Sequence, residues 1–367
     1  MALTAGIVGL PNVGKSTLFN AITQAGALAA NYPFATIEPN VGTVIVPDQR
    51  LYKIAEIVNP KKIVPTTFEF TDIAGLVKGA SKGEGLGNQF LSHIREVDAI
   101  IHVVRCFEDK NVTHVDGDVD PIRDIETIDL ELIFSDLEIV EKRLPKIEKK
   151  AQLKVDPDAV KEYELLKLIQ NTLLNNQTIR TIKFTTEEFK LIKSYGFLTQ
   201  KPVIYALNIS EDDFASNYVN EHASCVLEHA KKEHTEALLI SAKIEAELSE
   251  LDASEKAMFL EELGVKESGL DQLIKRSYDL LGLKTFFTAG EKEARAWTFK
   301  DGMTAPECAG IIHSDFQKGF IRAETIAYED LLATKSMLAA KEQGKMRSEG
   351  KSYLVKDGDI MLFRFNV

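Results

Sequence analysis

Residues 6–16 read Gly6-Ile7-Val8-Gly9-Leu10-Pro11-Asn12-Val13-Gly14-Lys15-Ser16. The last eight fit G-x-x-x-x-G-K-[ST], the Walker A phosphate loop. The context that this motif needs is present. An apolar, strand-like stretch (6–8) precedes it, and a helical stretch (17–23) follows. The glycines let the backbone curl so that successive N–H groups point inward at phosphate oxygens. The N-terminus of the following helix adds partial positive charge. Lys15 is placed to reach the β- and γ-phosphates, and the Ser16 hydroxyl to ligate Mg²⁺. The candidate phosphate-binding set is Asn12, Val13, Gly14, Lys15, Ser16 and Thr17.

Further motifs follow in the order such a domain requires. Asp72-Ile73-Ala74-Gly75 comes after the strand-like stretch 67–70. In phosphate-loop proteins the Asp of such a motif holds Mg²⁺ through water, and the Gly donates its N–H to the γ-phosphate. Thr36, in the Pro- and Asn-bearing stretch 31–42, is a candidate to close on Mg²⁺ and sense the γ-phosphate. The Mg²⁺ ligands expected are therefore Ser16, Thr36 and Asp72. Stretch 78–87 holds four glycines and reads as a switch segment next to Gly75.

Many GTPases carry Gln directly after D-x-x-G to orient the attacking water. Here the residue is Leu76, which cannot hydrogen-bond. Catalysis must use another group, a backbone donor or a metal ion. Lys15, Gly75 and His114, the last in stretch 109–121, are the catalytic candidates; a solvent-exposed His is the plainer reading of His114. Asn12 is a candidate ligand for K⁺, beside its plainer role of shaping the loop.

Base selection falls on Asn208-Ile209-Ser210-Glu211, after the apolar stretch 203–207. GTPases place N-K-x-D there, with the Asp pairing guanine N1–H and N2–H₂. Ile209 replaces the Lys and the longer Glu211 replaces the Asp, which compromises guanine reading. Ser241-Ala242-Lys243 follows the stretch 238–240, where GTPases have a backbone loop touching the base; Ser241 and Ala242 join the candidate set.

Around these motifs the chain has three textures. Short apolar strands alternate with helical or loop segments over residues 1–124 and again over 199–282, the pattern of a mostly parallel α/β sheet. Between them, 125–198 lacks glycine until Gly196 and carries Ile133, Leu137, Val140, Leu144 and Ile147 at helical spacing. Tyr163, Leu166, Ile169 and Leu173 repeat the spacing, so the pair reads as an antiparallel helical hairpin turned near Val155-Asp156-Pro157. Residues 283–367 read as a small α+β domain, with strands at 285–288, 294–298 and 360–365 around one helix at 305–313.

The 367 residues carry 44 basic and 56 acidic side chains, a net charge of −12. That opposes a general nucleic-acid coat and permits local basic patches. Two are visible: Lys142, Arg143, Lys146, Lys149, Lys150 and Lys154, and then Lys341, Lys345, Arg347, Lys351 and Lys356. Cys106, Cys225 and Cys308 fit no metal or disulfide pattern. No apolar run is long enough to cross a bilayer. The N-terminus has no basic start or long apolar core, so no signal peptide is read there. The expectation is a cytoplasmic protein with no membrane or DNA partner.

With these motifs placed, the chain resembles the Obg-like ATPase family, in its YchF subfamily of translation-factor-related phosphate-loop proteins. The resemblance covers essentially the whole length and is most specific at 6–23, 31–42, 70–95 and 208–211. It implies a coiled-coil insertion in the nucleotide domain and a C-terminal TGS module with a β-grasp fold. It also implies preference for ATP over GTP, slow Mg²⁺-dependent hydrolysis, and association with the ribosome or with stress responses. Two other readings stay open on sequence: a GTP-hydrolysing translation factor, and a non-catalytic nucleotide-dependent binding module.

Overall fold

The computed structural model of the protein describes residues 3–27, 40–73, 86–109, 112, 117–153 and 156–366. The described residues divide into two compact units. One holds 3–25, 40–42 and 69–273; the other holds 26–27, 43–68 and 274–366.

The first unit is built on a mostly parallel sheet. Strand Thr4–Val8 is paired on one side with Thr67–Asp72 and on the other with Ala99–Arg105, which in turn pairs with Val203–Asn208, and that with Glu236–Ile240. Strand Val41–Ile45 completes six strands at the Thr67–Asp72 edge. Ala99–Arg105 and Val203–Asn208 are buried at every position, as strands covered on both faces must be. Register decides where the loops emerge. Ile7 lies opposite Asp72, Arg105 opposite Asn208, and Asn208 opposite Ile240. The carboxyl ends of these strands therefore share one edge, where open α/β sheets bind their ligands.

The insertion is two long helices, Pro121–Gln152 and Pro157–Leu174. Both start in the same way. Asp120 and Asp156 cap the free N–H groups, and a proline, whose missing N–H is harmless there, takes the first turn. Ile133, Val140, Leu144 and Ile147 pack with Leu166, Ile169 and Leu173, all in the stripes read from the sequence, and Leu165 joins them. The first helix begins at Pro121, four residues before the expected boundary. At the root, buried Asp136 accepts hydrogen bonds from Leu198 N–H (2.8 Å), Thr199 N–H (2.8 Å) and Thr199 Oγ1 (2.7 Å).

The second unit is a mixed six-stranded sheet in the order Arg347–Glu349, Phe320–Ile326, Ile360–Phe365, Leu283–Ala289, Ala294–Lys300, Ile63–Val64. Helices Ala305–Ile312 and Ser314–Lys318 supply one core, with Phe286, Phe299, Ala323, Met361 and Phe363. The other sheet face buries Phe287, Ala294, Ala296, Ile326 and Ile360 against a second layer. That layer differs from the expected single helix. It contains Tyr328–Thr334, Met337–Glu342 and, from far earlier in the chain, Gln49–Val58, whose Leu51, Ile54 and Ala55 are buried in it. Strand Ile63–Val64 pairs in parallel with Ala294 and Arg295. Residues 49–58 and 63–64, grouped by texture with the nucleotide domain, thus pack in this unit. A sheet whose two faces are both apolar needs a cover on each, and the C-terminal stretch supplies only part of the second.

Candidate nucleotide-binding site

The phosphate loop leaves strand Thr4–Val8 and enters helix Lys15–Ala27. Its glycines are required for different reasons. A Cβ at Gly9 would stand 2.8 Å from the Val103 carbonyl oxygen. Gly14 has φ +95°, a region that side chains disfavour, and a Cβ there would meet Asn208 Nδ2 at 2.2 Å. Asn12 also takes a left-handed conformation, φ 63°, which asparagine tolerates better than most residues. Val13 is buried, pinning the loop, while Ser16 and Thr17 are exposed at the start of the helix. The Lys15 ammonium pairs directly with the Asp72 carboxylate at the end of the neighbouring strand.

Asn208 is the hinge of the base side. It is buried, donates from Nδ2 to the Val13 carbonyl (2.8 Å), and accepts at Oδ1 from Ala242 N–H (2.9 Å). One amide thereby fixes the phosphate loop and the Ser241–Ala242 turn to each other. Ile209 is buried, and its N–H bonds Ile240 O. Ser210 caps the short helix Glu211–Ala215 by accepting from Asp213 N–H. The Glu211 carboxylate pairs with the Lys243 ammonium at 2.6 Å, which raises the lysine's proton affinity.

These groups surround a cavity of about 420 Å³, large enough for a nucleoside. Asn12, Gly14, Thr17, Asn208, Ile209, Ser210, Glu211, Ser241 and Ala242 line it. The structure thus brings together most of the residues read from sequence. Lys243, the last residue of the Ser241-Ala242-Lys243 motif, also lines the cavity, and the structure adds a wall that the motifs did not reveal: Phe107, Glu108, Asp109 and Val112. That wall is held by Arg105, which is buried and has its proton affinity lowered by burial. Arg105 donates to the carbonyls of Phe107 (3.1 Å), Val112 (3.0 Å) and Asp109 (3.4 Å), and its guanidinium stacks on the Phe107 ring. An arginine ending an otherwise largely apolar strand was the available signal. Thr36, Gly75, Leu76, His114, Lys154 and stretch 78–85 lie outside the described residues.

The basic patches are less free than their sequence suggests. Lys142 pairs with Glu138, Arg143 with Glu162, Lys345 with Asp330, and Arg347 with Glu349 and Asp359. Lys146, Lys149 and Lys150 remain exposed on the hairpin's first arm. No described helix is long and apolar enough to cross a membrane.

A phosphate loop between a parallel strand and its helix, a carboxylate on the neighbouring strand and a base pocket at the same sheet edge define a P-loop nucleoside triphosphatase. Comparison with known proteins narrows the class. A family model described as "50S ribosome-binding GTPase" matches residues 4–136. The model of the YchF GTPase C-terminal domain, described as a protein of unknown function, matches residues 283–366. The chain is 65% identical to "Ribosome-binding ATPase YchF" of Bacillus subtilis (strain 168), over 100% of both chains. It is 54% identical to the protein of that name from Haemophilus ducreyi, again over 100% of both. The solved structure of the Schizosaccharomyces pombe YchF GTPase superposes with a TM-score of 0.89 at 40% identity, covering 99% of this chain and 97% of that one. The chain belongs to the YchF family.

Proposed function

We propose that this protein is a Mg²⁺-dependent ATPase that hydrolyses ATP slowly to ADP and phosphate and acts as a nucleotide-controlled switch on ribosomes in the cytoplasm. The observation that carries the choice of base is the Glu211–Lys243 ion pair beside buried Ile209. Reading guanine takes a carboxylate free to accept from N1–H and N2–H₂. Here the only carboxylate of the motif is engaged by a lysine, and the position that carries Lys in GTPases is an apolar side chain turned into the core. The family name shared by the Bacillus and Haemophilus relatives, with its words ribosome-binding and ATPase, supports the partner and the nucleotide. The word GTPase attached to the Schizosaccharomyces structure keeps GTP as the second reading.

For the metal, the donors fit a hard cation that takes oxygen ligands and keeps several waters. Ser16 offers an exposed hydroxyl and Asp72 a carboxylate at the strand end; Thr36 is the third proposed ligand. Among the described residues no group of three or more His, Cys, Asp or Glu is placed to hold a metal, and a phosphate-anchored Mg²⁺ needs none. When bound, Mg²⁺ neutralises charge on the phosphates. Lys15 adds a second positive charge, and the loop N–H groups orient the oxygens. Leu76 cannot position water, so unstimulated turnover of roughly 10⁻⁴ to 10⁻² per second is expected. Gly75 and His114 are proposed for the γ-phosphate and the water, and Asn12 for K⁺, whose effect appears on comparing turnover in K⁺ and Na⁺.

Equilibrium titration of pure protein with ATP and GTP tests the reading. ATP should bind more tightly, and Ile209→Lys with Glu211→Asp should move affinity toward GTP. Tenfold tighter GTP binding by the wild type, about 1.4 kcal/mol, refutes it. The ribosome is tested by cosedimentation at two salt concentrations with ATP analogue, ADP or no nucleotide. Absence from the ribosomal pellet in every state at low salt refutes that part.

A further inference from the structure

The helical insertion has a second, chemically different surface. Its exposed basic residues Lys146, Lys149 and Lys150 lie on the first arm. On the other side, helix Pro157–Leu174 and the short helix Thr186–Ile192 border a groove of about 810 Å³. Leu165, Leu168 and Leu191 line it. Leu168 is 47% exposed, a large aliphatic side chain facing solvent with acidic groups around it. The rim carries Asp158, Glu164, Glu187 and Glu188 against Lys161 and Lys190, four carboxylates to two ammonium groups. Glu188 is held ionised by the Thr185 N–H and hydroxyl, which lower its proton affinity. Lys161 approaches Glu187 only at 4.0 Å, both exposed, a loose pair on the rim.

From these observations we infer that this groove is a docking site for a basic amphipathic helical segment of a partner protein. The argument is complementarity. An apolar strip calls for aliphatic side chains at i, i+3 or i+4 and i+7, the helix-in-groove mode. An acidic rim calls for Lys or Arg beside that stripe and repels RNA phosphates. Asp158, Lys161, Leu165 and Leu168 follow one another along a single helix stripe of eleven residues, about 15 Å long, which fits two to three turns of a guest helix. The insertion would then present RNA-compatible charge on one arm and a protein-binding groove on the other. The groove proposal stands on these residues whether or not the chain binds ribosomes.

The test uses the full chain and a fluorescein-labelled synthetic peptide of about 12 residues, Leu at the stripe positions and Lys or Arg elsewhere, followed by anisotropy at physiological salt. The comparison peptide carries Glu at the basic positions. Wild-type protein should bind the basic peptide and not the acidic one. Glu164→Lys with Glu187→Lys should weaken binding at least tenfold. Glu261→Lys with Glu262→Lys, the same charge change on a different exposed helix, should leave it within twofold. Leu168→Glu is the sharpest variant, since it adds a negative charge at an exposed position where folding is not at stake. Groove docking requires at least tenfold weaker binding, whereas general attraction to an acidic protein would give equal or tighter binding and overturn the proposal. Circular dichroism and melting temperature verify that each variant is folded. Sedimentation of the chain alone closes the alternative: a dimer abolished by Leu168→Glu would assign the groove to a second copy and overturn the peptide reading.

Discussion

Gly14→Ala is a small change with a large expected effect, because the site meets itself at that atom. The backbone there has φ +95°, and holding an L side chain in left-handed space costs about 1–2 kcal/mol. The new methyl would stand 2.2 Å from Asn208 Nδ2, and the Asn208 side chain is not a free end that can swing away. It donates to Val13 O and accepts from Ala242 N–H, both inside the protein. Moving it strands a buried carbonyl and a buried N–H, at about 1–3 kcal/mol for each group left unsatisfied. The expected loss is therefore about 3–8 kcal/mol in urea unfolding of the nucleotide-free protein, with weakened nucleotide binding. The cause is separable by a double-mutant cycle. Asn208→Ala alone removes the amide and should cost about 2–6 kcal/mol by the same reasoning. In the double variant the clash has no partner, so the combined loss should fall short of the sum by at least about 1 kcal/mol. Simple additivity, or a Gly14→Ala loss below about 0.5 kcal/mol, would show that the two residues do not meet as described.

Other outcomes follow from the same geometry. Lys15→Ala and Ser16→Ala should each abolish hydrolysis while leaving the circular dichroism spectrum unchanged; turnover at the wild-type rate in either folded variant refutes the phosphate and metal roles. His114→Ala should lower turnover with little change in ATP affinity, and equal turnover removes His114 from the mechanism. Glu245 is buried and accepts from Gly269 N–H at 2.7 Å, and burial pushes its carboxyl up to about 7. Because the folded pKa lies above the unfolded value, this group's contribution is complete below about pH 4.5 and fades as pH rises through 7, by up to ~3 kcal/mol. Glu245→Gln keeps an acceptor for Gly269 and has no charge to bury. Its stability relative to wild type should rise between pH 5 and pH 8 in paired urea titrations, and a pH-independent difference refutes the assignment.

What could be read in advance was local. The phosphate loop announces itself by a spacing of glycines, lysine and serine with a strand before and a helix after. The hairpin announces itself by Ile133, Val140 and Leu144 on one arm and Leu166, Ile169 and Leu173 on the other, each stripe complete within its own helix. Asn208 and Ser241 were legible as strand-end residues, but their mutual tie through Ala242 N–H was not, since no short-range pattern encodes which turn an amide will face. The Phe107–Val112 wall was missed for a related reason. Its order comes from one arginine reaching three backbone carbonyls, and carbonyls carry no sequence signal. Helix Gln49–Val58 shows the same limit at larger scale. Asp48 as cap and Leu51, Ile54, Ala55 and Val58 at helical spacing were available as evidence for a helix. Its burial against residues more than two hundred positions later was not.

That last pairing imposes an order in time on the making of the protein. Ile63 leaves the ribosome about 230 residues before Ala294, the residue it pairs with in the finished sheet. At ordinary translation rates of about 5–20 residues per second the delay is roughly 10 to 50 seconds. Throughout that interval Leu51, Ile54 and Ile63 have been synthesised and the face that will cover them has not. A shortened chain ending near residue 282 never reaches the end of the wait. Its apolar helix would stay uncovered, so such a truncation should be recovered from cells as an aggregating species rather than as a minimal nucleotide-binding domain.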